Sequence, residues 1–501
     1  MTTGDGARQA PAHVTVVEAD QLAGRAQALL DGGHRLALVA AHEEPDAFRV
    51  VYAFTPTDGP GRHELVLRTP HAEPAVPSLA AISFSAGRFE REMRDMYGIV
   101  PLDHPLPRRL IRHRTWPQAW YPMRSDAGEP PPFQATDPFP FLTVGGPGVY
   151  EIPVGPVHAG IIEPGHFRFS VVGETILKLK ARLWFTHKGI EKLAEGRPLA
   201  EALRLAERVS GDTSFGHALA YCLAVEDALG WSVPEPVARQ RALLLEMERL
   251  YNHVTDLGAL CKDAGHGILD VHAHRVREQL VRINAEVTGH RLLRGAVVPG
   301  GVRLRALPDA AQLRRLADEV AEIVGLALGH SVVRDRFTGT AVLTEAQVRE
   351  LGCLGYVARA SGVDHDARRT HPFHVLTPEV TPPTSTTGDV LARFEVRAHE
   401  VSASAALLSR LLDGAAVRDA AIESPGPSGT SGAGLGLVEG WRGTIVHRVE
   451  IAADGTVSRL KIVDPSFLTW PAVPVALADT IVPDFPLTNK SFNLSYAGND
   501  L

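Results

Sequence analysis

Residues 125–149 divide the chain, because their composition opposes both helix and sheet. The segment contains Pro130, Pro131 and Pro132 in succession and closes on the run Gly145-Gly146-Pro147-Gly148. Proline lacks a backbone donor, and glycine loses more conformational freedom on ordering than any other residue. We therefore predict a linker here. It separates an N-terminal unit, residues 13–124, from a C-terminal unit, residues 150–501.

The N-terminal unit has the pattern of a domain that mixes helix and sheet. Residues 20–30 carry apolar side chains at helical spacing, and a second helix is predicted at residues 88–98, where Phe89, Met93 and Met96 lie three and four apart. Short apolar runs indicate strands at residues 36–40, 48–54, 65–68 and 80–84. Together these elements predict an α+β domain.

The C-terminal unit is dominated by helical patterns, and we predict a mainly α-helical bundle. A hairpin is predicted at its start, with strands at residues 167–172 and 176–181. Apolar residues then recur at helical spacing in residues 199–209, 215–229, 236–260, 271–288, 310–328 and 390–412. Two segments rich in Pro, Gly, Ser and Thr, residues 377–389 and 423–436, are predicted to be loops.

Charge and composition exclude several classes of function. The 501 residues carry a formal net charge of -7, which provides no basic field for a nucleic-acid backbone, so no nucleic-acid partner is expected. The N-terminus lacks the pattern of a secretion signal, and no apolar run reaches the roughly 18 residues that span a bilayer. We expect a cytoplasmic protein that reaches the membrane through partners. No Gly-x-Gly-x-x-Gly loop follows a strand, so a link to NADH would come from another subunit.

The three cysteines, Cys222, Cys261 and Cys353, are scattered along the chain without a Cys-x-x-Cys spacing. Such spacing offers neither a disulfide framework nor a self-contained zinc or iron-sulfur site. We expect buried structural thiols. Any electron carrier would then sit on another subunit.

One loop has the frame of a metal site without the ligands. Residues 208–217 read Arg-Val-Ser-Gly-Asp-Thr-Ser-Phe-Gly-His. They resemble the Arg-x-Cys-Gly-x-Cys-x-x-x-His signature of nickel-iron hydrogenase large subunits, with Ser210 and Thr213 in place of the cysteines. The run that matches the family's C-terminal Cys-x-x-Cys is Ser-Tyr-Ala-Gly, residues 495–498. Because a soft metal prefers thiolate to a neutral hydroxyl, we predict no nickel-iron centre on this chain.

Further motifs follow in the order found in formate-hydrogenlyase-type large subunits. Residues 155–168 resemble their Gly-Pro-x-His and Glu-Pro-Gly-His-Phe-Arg run, whose glutamate lies beside the active site and relays protons. Other matches to hydrogenase-type and complex I-type large subunits lie at residues 187–192, 244–250, 359–373 and 439–443. Residues 89–110 resemble the 30-kDa subunit of complex I. The chain therefore resembles a fusion of complex I 30-kDa-like and 49-kDa-like subunits, which implies those two folds in that order.

The resemblance implies a pocket assembled from distant parts of the chain. Glu163, His217 and Arg442 are catalytic candidates by position, and Asp212 joins them because two carboxylates buried together, here Glu163 and Asp212, would have shifted pKa values. On an apolar helix, however, a residue such as His217 is commonly a hydrogen-bonded core histidine. The remaining pocket candidates are His158, Arg208, Ser210, Thr213 and Ser495.

The departures from the family leave three hypotheses open. The histidine and tyrosine that contact quinone in complex I stand here at Pro164 and Gly211. The first hypothesis is an oxidoreductase subunit that binds no cofactor itself and exchanges electrons with an iron-sulfur cluster on a small partner subunit. It would drive proton movement through antiporter-like membrane subunits at the cytoplasmic face of the membrane, with quinone as a candidate substrate. The alternatives are a non-catalytic scaffold, whose pocket is filled by side chains and water, and an active hydrogenase.

Overall fold

The computed structural model describes residues 12–134, 139–158, 162–417 and 431–501. Its N-terminal unit is a four-stranded sheet in the order β1-β4-β3-β2, with β1 parallel to β4 and the other pairs antiparallel. The elements are β1 (Ala12–Val16), α1 (Ala19–Asp31), β2 (His34–Glu43), β3 (Ala47–Pro56), β4 (Arg62–Pro70), β5 (Ala75–Pro77), α2 (Phe84–Tyr97) and β6 (Val100–Leu102). Helices α1 and α2 both contact β2.

The predicted α+β pattern agrees with this unit except at one segment. The strand predicted at residues 80–84 is wrong, because residues 80–82 form a turn and α2 begins at Phe84. Ser83 explains the early start, since its hydroxyl accepts a hydrogen bond from the backbone N–H of Ala86 and so caps the helix. Strand β1 was not predicted.

The predicted linker is described at residues 125–134 and 139–149, and there it contains no helix or strand before its last residue, Val149, which begins β7. The two units contact each other through ion pairs. Lys461 pairs with Glu92 of α2, and Arg62 of β4 lies 2.5 Å from Asp227. The two units are therefore in direct contact through ion pairs and are not connected by the linker alone.

The C-terminal unit begins with a three-stranded antiparallel sheet and continues into a set of packed helices. The sheet is β7 (Val149–Val154), β8 (His166–Val172) and β9 (Thr175–Arg182). The next elements are α3 (Ile190–Ala194), α4 (Leu199–Ala206), α5 (Ser214–Leu229), α6 (Glu235–Asp263), α7 (Gly267–Thr288), β10 (Val297–Val298), β11 (Gly301–Val302), α8 (Ala310–Gly329), α9 (Ser331–Phe337), α10 (Glu345–Leu351), α11 (Gly355–Arg359), α12 (Ala367–Thr370) and α13 (Val390–Leu412). Helices α6, α7, α8 and α13 pack on one another, as the predicted bundle requires.

The chain ends in a second three-stranded sheet followed by short helices. These elements are β12 (Gly432–Gly440), β13 (Gly443–Ile451), β14 (Val457–Val463), α14 (Pro465–Thr469), α15 (Ala472–Ala476), α16 (Phe485–Phe492) and α17 (Tyr496–Asp500). Single 3-10 turns lie at Thr377–Glu379 and Val482–Asp484. The unit is thus mixed α/β. The prediction of a mainly helical domain missed the terminal sheet, whose β12–β13 turn carries Arg442.

The loop predicted at residues 423–436 is wrong where it reaches the terminal sheet, because β12 starts at Gly432; residues 423–430 lie outside the described part of the chain. Three alternate glycines of β12 lie against the backbone of α5. An added Cβ would approach a carbonyl oxygen of the helix to 2.2 Å at Gly432, 2.1 Å at Gly434 and 2.0 Å at Gly436. The glycines therefore allow the backbones of α5 and β12 to come into contact, although a glycine-rich sequence is more typical of a loop.

All three cysteines are buried, as predicted. Burial raises the pKa of Cys261 and of Cys353 to about 12. None of the helices in the described part of the chain is long and apolar enough to cross a membrane.

Candidate functional site

Four of the predicted residues lie around the carboxylate of Asp212, three of them in direct hydrogen bonds to it and the fourth, Ser495, through Ser210. Arg442 donates one hydrogen bond to each carboxylate oxygen, both at 2.7 Å. Ser210 and Thr213 donate their hydroxyls to Oδ1 at 2.8 and 3.0 Å. The Ser495 hydroxyl lies 2.8 Å from that of Ser210. The structure thus joins the loop after α4, the β12–β13 turn and the start of α17 at one point.

The pairing fixes the charge of Asp212. Burial would raise the pKa of this carboxyl, but the Arg442 ion pair and the hydroxyl bonds from Ser210 and Thr213 outweigh it and lower the pKa to about 2. Arg442 is 4% exposed, whereas the Asp212 side chain is 40% exposed. The cluster therefore presents a permanent carboxylate toward solvent and keeps its cation inside.

Helix α6 holds the loop that carries Asp212. The Tyr251 hydroxyl and the Asn252 amide both donate to the backbone carbonyl of Asp212, at 3.2 and 2.7 Å. Glu248 accepts the backbone N–H of Phe215 at 2.7 Å and that of Gly216 at 2.9 Å. These are donors of the first turn of α5, which have no partner within the helix. One face of α6 therefore fixes the backbone positions of both the Asp212 loop and the first turn of α5.

The turn between β12 and β13 fixes Arg442. Its Nε donates to the carbonyl of Asn493 at 2.5 Å, and its guanidinium lies 3.9 Å from the centre of the Trp441 ring. Gly443 has φ +134°, and an added Cβ there would lie 2.8 Å from the backbone nitrogen of Gly355. Only glycine fits this close approach at a positive φ.

A buried network of charged side chains, here called the charge ladder, anchors that turn. Arg249 donates to the carbonyls of Gly440, at 3.1 Å, and Glu439, at 2.6 Å. The ladder contains three arginines and four carboxylates, each at most 2% exposed: Arg249, Arg359, Arg368, Glu246, Asp366, Glu400 and Glu439. Burial, with the neighbouring Asp366 charge, raises the pKa of Glu439. The ladder thus ties the backbone next to Arg442 to four helices, α6, α11, α12 and α13.

Glu248 is a residue of the site that the prediction missed. Burial raises its pKa to about 8, helped by the charge of Asp212 and opposed by the backbone hydrogen bonds of Phe215 and Gly216. The available signal is the Leu-Glu-x-Glu-Arg motif of residues 245–249, which lies in the matched segment 244–250 and contains Glu248 as its second glutamate. Glu248 can therefore hold a proton near neutral pH directly behind the Asp212 loop.

The raised pKa predicts how stability depends on pH. Below about pH 4.5 Glu248 is protonated in both the folded and the unfolded chain, and its contribution is fully present. Between about pH 4.5 and 8 only the folded chain keeps the proton, so the free energy of unfolding falls as pH rises, by about 1.4 kcal/mol per pH unit. Glu248→Gln is expected to remove this contribution to the slope, measured by denaturant unfolding across that window. The matched control is Glu174→Gln in the exposed β8–β9 turn; equal slopes in all three proteins would contradict the assignment.

His217 lies in the core, beside but not within the Asp212 cluster. Its ring nitrogens contact Asp464 Oδ2 and His447 Nε2, each at 3.0 Å. Burial opposes the charge of Asp464, but the His217 hydrogen bond outweighs it, and the pKa of Asp464 is lowered. Burial lowers the pKa of His447 well below its usual range. His217 thus has the hydrogen-bonded core environment that the sequence left as the alternative.

The other predicted residues lie at different distances from the cluster. Glu163 accepts the backbone N–H of Ala497 at 2.9 Å, in the first turn of α17, which Ser495 caps. The His158 ring lies 2.8 Å from the Gly165 carbonyl oxygen. Arg208 is exposed and donates to the Arg204 carbonyl at 2.6 Å, so the structure does not place it in the pocket. Nor does Glu163 contact Asp212 as a carboxylate pair; the low pKa of Asp212 has other causes.

The donor set does not fit a nickel-iron centre. Ser210 and Ser495 bond to each other, and Thr213 donates to Asp212. At Gly498 an added Cβ would meet the Asp464 carboxylate at 2.5–2.9 Å, so no thiolate side chain has room there. Elsewhere in the described ranges, no group of three or more His, Cys, Asp or Glu side chains could hold a metal ion.

Comparisons with known proteins match both units in chain order. Residues 15–131 match the family model of the respiratory-chain NADH dehydrogenase 30 Kd subunit, and residues 263–425 match that of the 49 Kd subunit. Formate hydrogenlyase subunit 5 of Escherichia coli (strain K12) is 33% identical over 450 residues, covering 85% of this chain and 77% of the relative. The C/D subunit of NADH-quinone oxidoreductase from Phocaeicola vulgatus is 30% identical, covering 73% of this chain and 75% of the relative. A chain of the membrane-bound sulfane sulfur reductase, an archaeal respiratory membrane complex, superposes with a TM-score of 0.65 at 26% identity, covering 71% of this chain and 99% of that one.

Proposed function

The chain belongs to the family of fused complex I 30-kDa and 49-kDa type subunits, and on this premise we propose that it is the large subunit of a membrane-associated respiratory oxidoreductase complex. Its relatives are subunits of oxidoreductases. We assign it to the cytoplasmic face of the membrane, bound to antiporter-like membrane subunits. Electrons pass to or from an iron-sulfur cluster on a small partner subunit, and this chain holds no nickel-iron centre of its own.

The observation that carries the proposal is the Asp212 cluster, in which Ser210, Thr213 and Ser495 are the residues that match, by resemblance, the metal-binding cysteines of hydrogenases. A fixed carboxylate, three hydroxyls and a buried guanidinium can orient a small polar substrate by hydrogen bonds. Because the pKa of Asp212 is lowered to about 2, its carboxylate stays ionised near neutral pH. We therefore assign it to orienting and attracting the substrate, and not to proton transfer. Glu163 and Glu248 are the carboxyl groups that we assign to proton movement, and quinone is a candidate substrate.

A scaffold function is the second candidate, and one observation favours it. The hydroxyls of Ser210, Thr213 and Ser495 all have protein partners: Ser210 and Thr213 donate to Asp212, and the Ser495 hydroxyl lies 2.8 Å from that of Ser210. In that case the ion-paired core would serve only to hold a rigid surface for partner subunits. Turnover of an Asp212→Asn complex separates these two functions.

The proposal is tested by the metal content of the complex purified with its native partners. We expect several iron atoms per copy of this chain and less than about one tenth of a nickel atom, because hydroxyl donors do not retain nickel. The isolated full-length chain is the control and is expected to contain neither metal. Nickel near one atom per chain would contradict the proposal, and iron in the isolated chain would contradict the assignment of the cluster to a partner.

A further inference from the structure

A second pocket, distant in sequence from the Asp212 cluster, lies between the two units. Its volume is about 440 Å³, within the range of about 300–1,000 Å³ that small-molecule sites occupy. Arg35 and the start of α2 contribute from the N-terminal unit, and the end of α10 contributes from the C-terminal unit. Apolar side chains, among them Ile82 and Phe84, line the same space. The pocket therefore combines a cation with an apolar wall.

Arg35 has no protein partner in this pocket. Across the described ranges its guanidinium forms no hydrogen bond and no ion pair, and its Nε is fully buried. Burial lowers the pKa of Arg35 to about 10, with a partly compensating attraction to Glu439. Arg35 is only partly buried and lines the pocket, and its buried Nε lacks an acceptor that a bound anion can supply.

His365 lies next to this arginine and is also unpartnered. It is 8% exposed, and neither ring nitrogen has a hydrogen-bond partner. Burial lowers the pKa of His365 to about 3, and the Arg35 charge contributes in the same direction. A neutral imidazole has one N–H to donate. The interface thus contains a cation and a buried imidazole, both lacking acceptors.

The N-terminus of α2 adds donors on the same pocket. This helix has 14 residues, and Ser83 caps it by accepting from Ala86. The backbone N–H groups of Phe84 and Ser85 have no acceptor within the part of the chain that the structure describes. Free N–H groups and the helix dipole together favour an anion at this end of a helix.

Two arginines and one glutamate line the pocket. Arg349 is engaged by Glu345 of its own helix, with Nε 2.8 Å from the carboxylate, and Glu350 is exposed at the rim. Among the described residues, no carboxylate forms an ion pair with Arg35. A phosphate group satisfies the guanidinium and the helix N–H groups at once, because it offers several acceptor oxygens in the geometry that arginine matches.

We propose that this pocket binds the phosphate group of a small molecule, held between Arg35 and the first turn of α2, with any organic part lying against Ile82 and Phe84. The site is separate from the Asp212 cluster and does not depend on the proposed function. It places a phosphorylated ligand at the contact between the two units, where occupancy stabilises their docking.

The competing structural explanation is that Arg35 acts as a distant counter-charge for the charge ladder, which contains one more carboxylate than arginine. In that case Arg35→Gln would destabilise the protein to the same extent with and without phosphate. Under the proposal the variant loses the phosphate response itself.

The test is titration calorimetry of the full-length chain with inorganic phosphate and with phenyl phosphate. We expect both to bind, and we expect Arg35→Gln to weaken binding by at least about tenfold through the loss of charge-assisted hydrogen bonds. Arg25→Gln on the exposed face of α1 removes the same charge and is expected to bind as the parent does. Tighter binding of phenyl phosphate than of phosphate would identify an organic phosphate as the ligand; equal binding would identify free phosphate.

A second variant keeps the test decisive if Arg35→Gln does not fold. Glu350→Gln changes an exposed residue at the rim and removes a negative charge, so it is expected to tighten phosphate binding about two- to threefold at low salt. The proposal is overturned if the parent protein binds neither probe. It is also overturned if Arg35→Gln binds as Arg25→Gln does, or if Glu350→Gln leaves a measurable affinity unchanged.

Discussion

Arg359→Met is expected to lower the free energy of unfolding by about 3–5 kcal/mol, since it leaves buried carboxylates without their cation. Arg359 is fully buried and donates to Glu400 through Nε and to Glu439 through Nη1, both at 3.0 Å. Methionine is close to the arginine stem in size, so lost packing is a small part of the effect. The measurement is denaturant unfolding of the full-length chain near neutral pH.

The matched control is Arg369→Met, ten positions along the chain. Arg369 pairs with Asp364 on the surface, with 31% and 54% of the two side chains exposed. Exposed pairs contribute less than about 1 kcal/mol. Similar losses in both variants would show that the charge ladder is not the source of stability.

Asp212→Asn is expected to lower turnover of the assembled complex by about 10²-fold, a typical cost of removing one preorganised polar group from a reaction site. The amide retains the shape of the side chain but offers Arg442 one neutral oxygen in place of two charged ones, and its NH2 group would face the guanidinium. The other close acceptors of the buried Arg442 are the Asn493 carbonyl and the Thr213 hydroxyl. Turnover is measured with the native electron donor after confirming by gel filtration that the partner subunits remain bound.

Two companion variants interpret that result. Asp58→Asn, in the exposed loop between β3 and β4, is the control and is expected to behave as the parent does. Glu163→Gln keeps an acceptor for the Ala497 N–H but cannot carry a proton, so it reports on the proposed relay. Normal turnover of an assembled Asp212→Asn complex would favour the scaffold function, and normal turnover of Glu163→Gln would remove the relay role from that residue.

Local periodicity was enough to locate every helix longer than eight residues in the described part of the chain. The pattern at residues 390–412 predicted α13 with its exact bounds, and α5 and α8 differ from prediction by one residue at one end each. Their apolar residues repeat at the spacing of the helix itself, so neighbours in sequence carry the information. Strand β12 was missed because its glycines are explained only by the helix that lies on them.

The sequence by itself determined which residue types could surround the lost metal position. The order of the motifs identified Asp212, Ser210, Thr213, Arg442 and Ser495 as candidates, and the absence of thiolates argued against nickel. These conclusions follow from residue chemistry at fixed spacing, which needs no coordinates.

Only the tertiary structure determined which side chains are hydrogen-bond and ion-pair partners. In the structure Arg442 bonds to Asp212, and Arg208 lies on the surface. His217 contacts Asp464 and His447 in the core. Glu248 acquired its raised pKa only through burial behind the Asp212 loop. Hydrogen bonds and pKa shifts depend on distances of a few ångströms between groups far apart in the chain, and no local pattern encodes those distances.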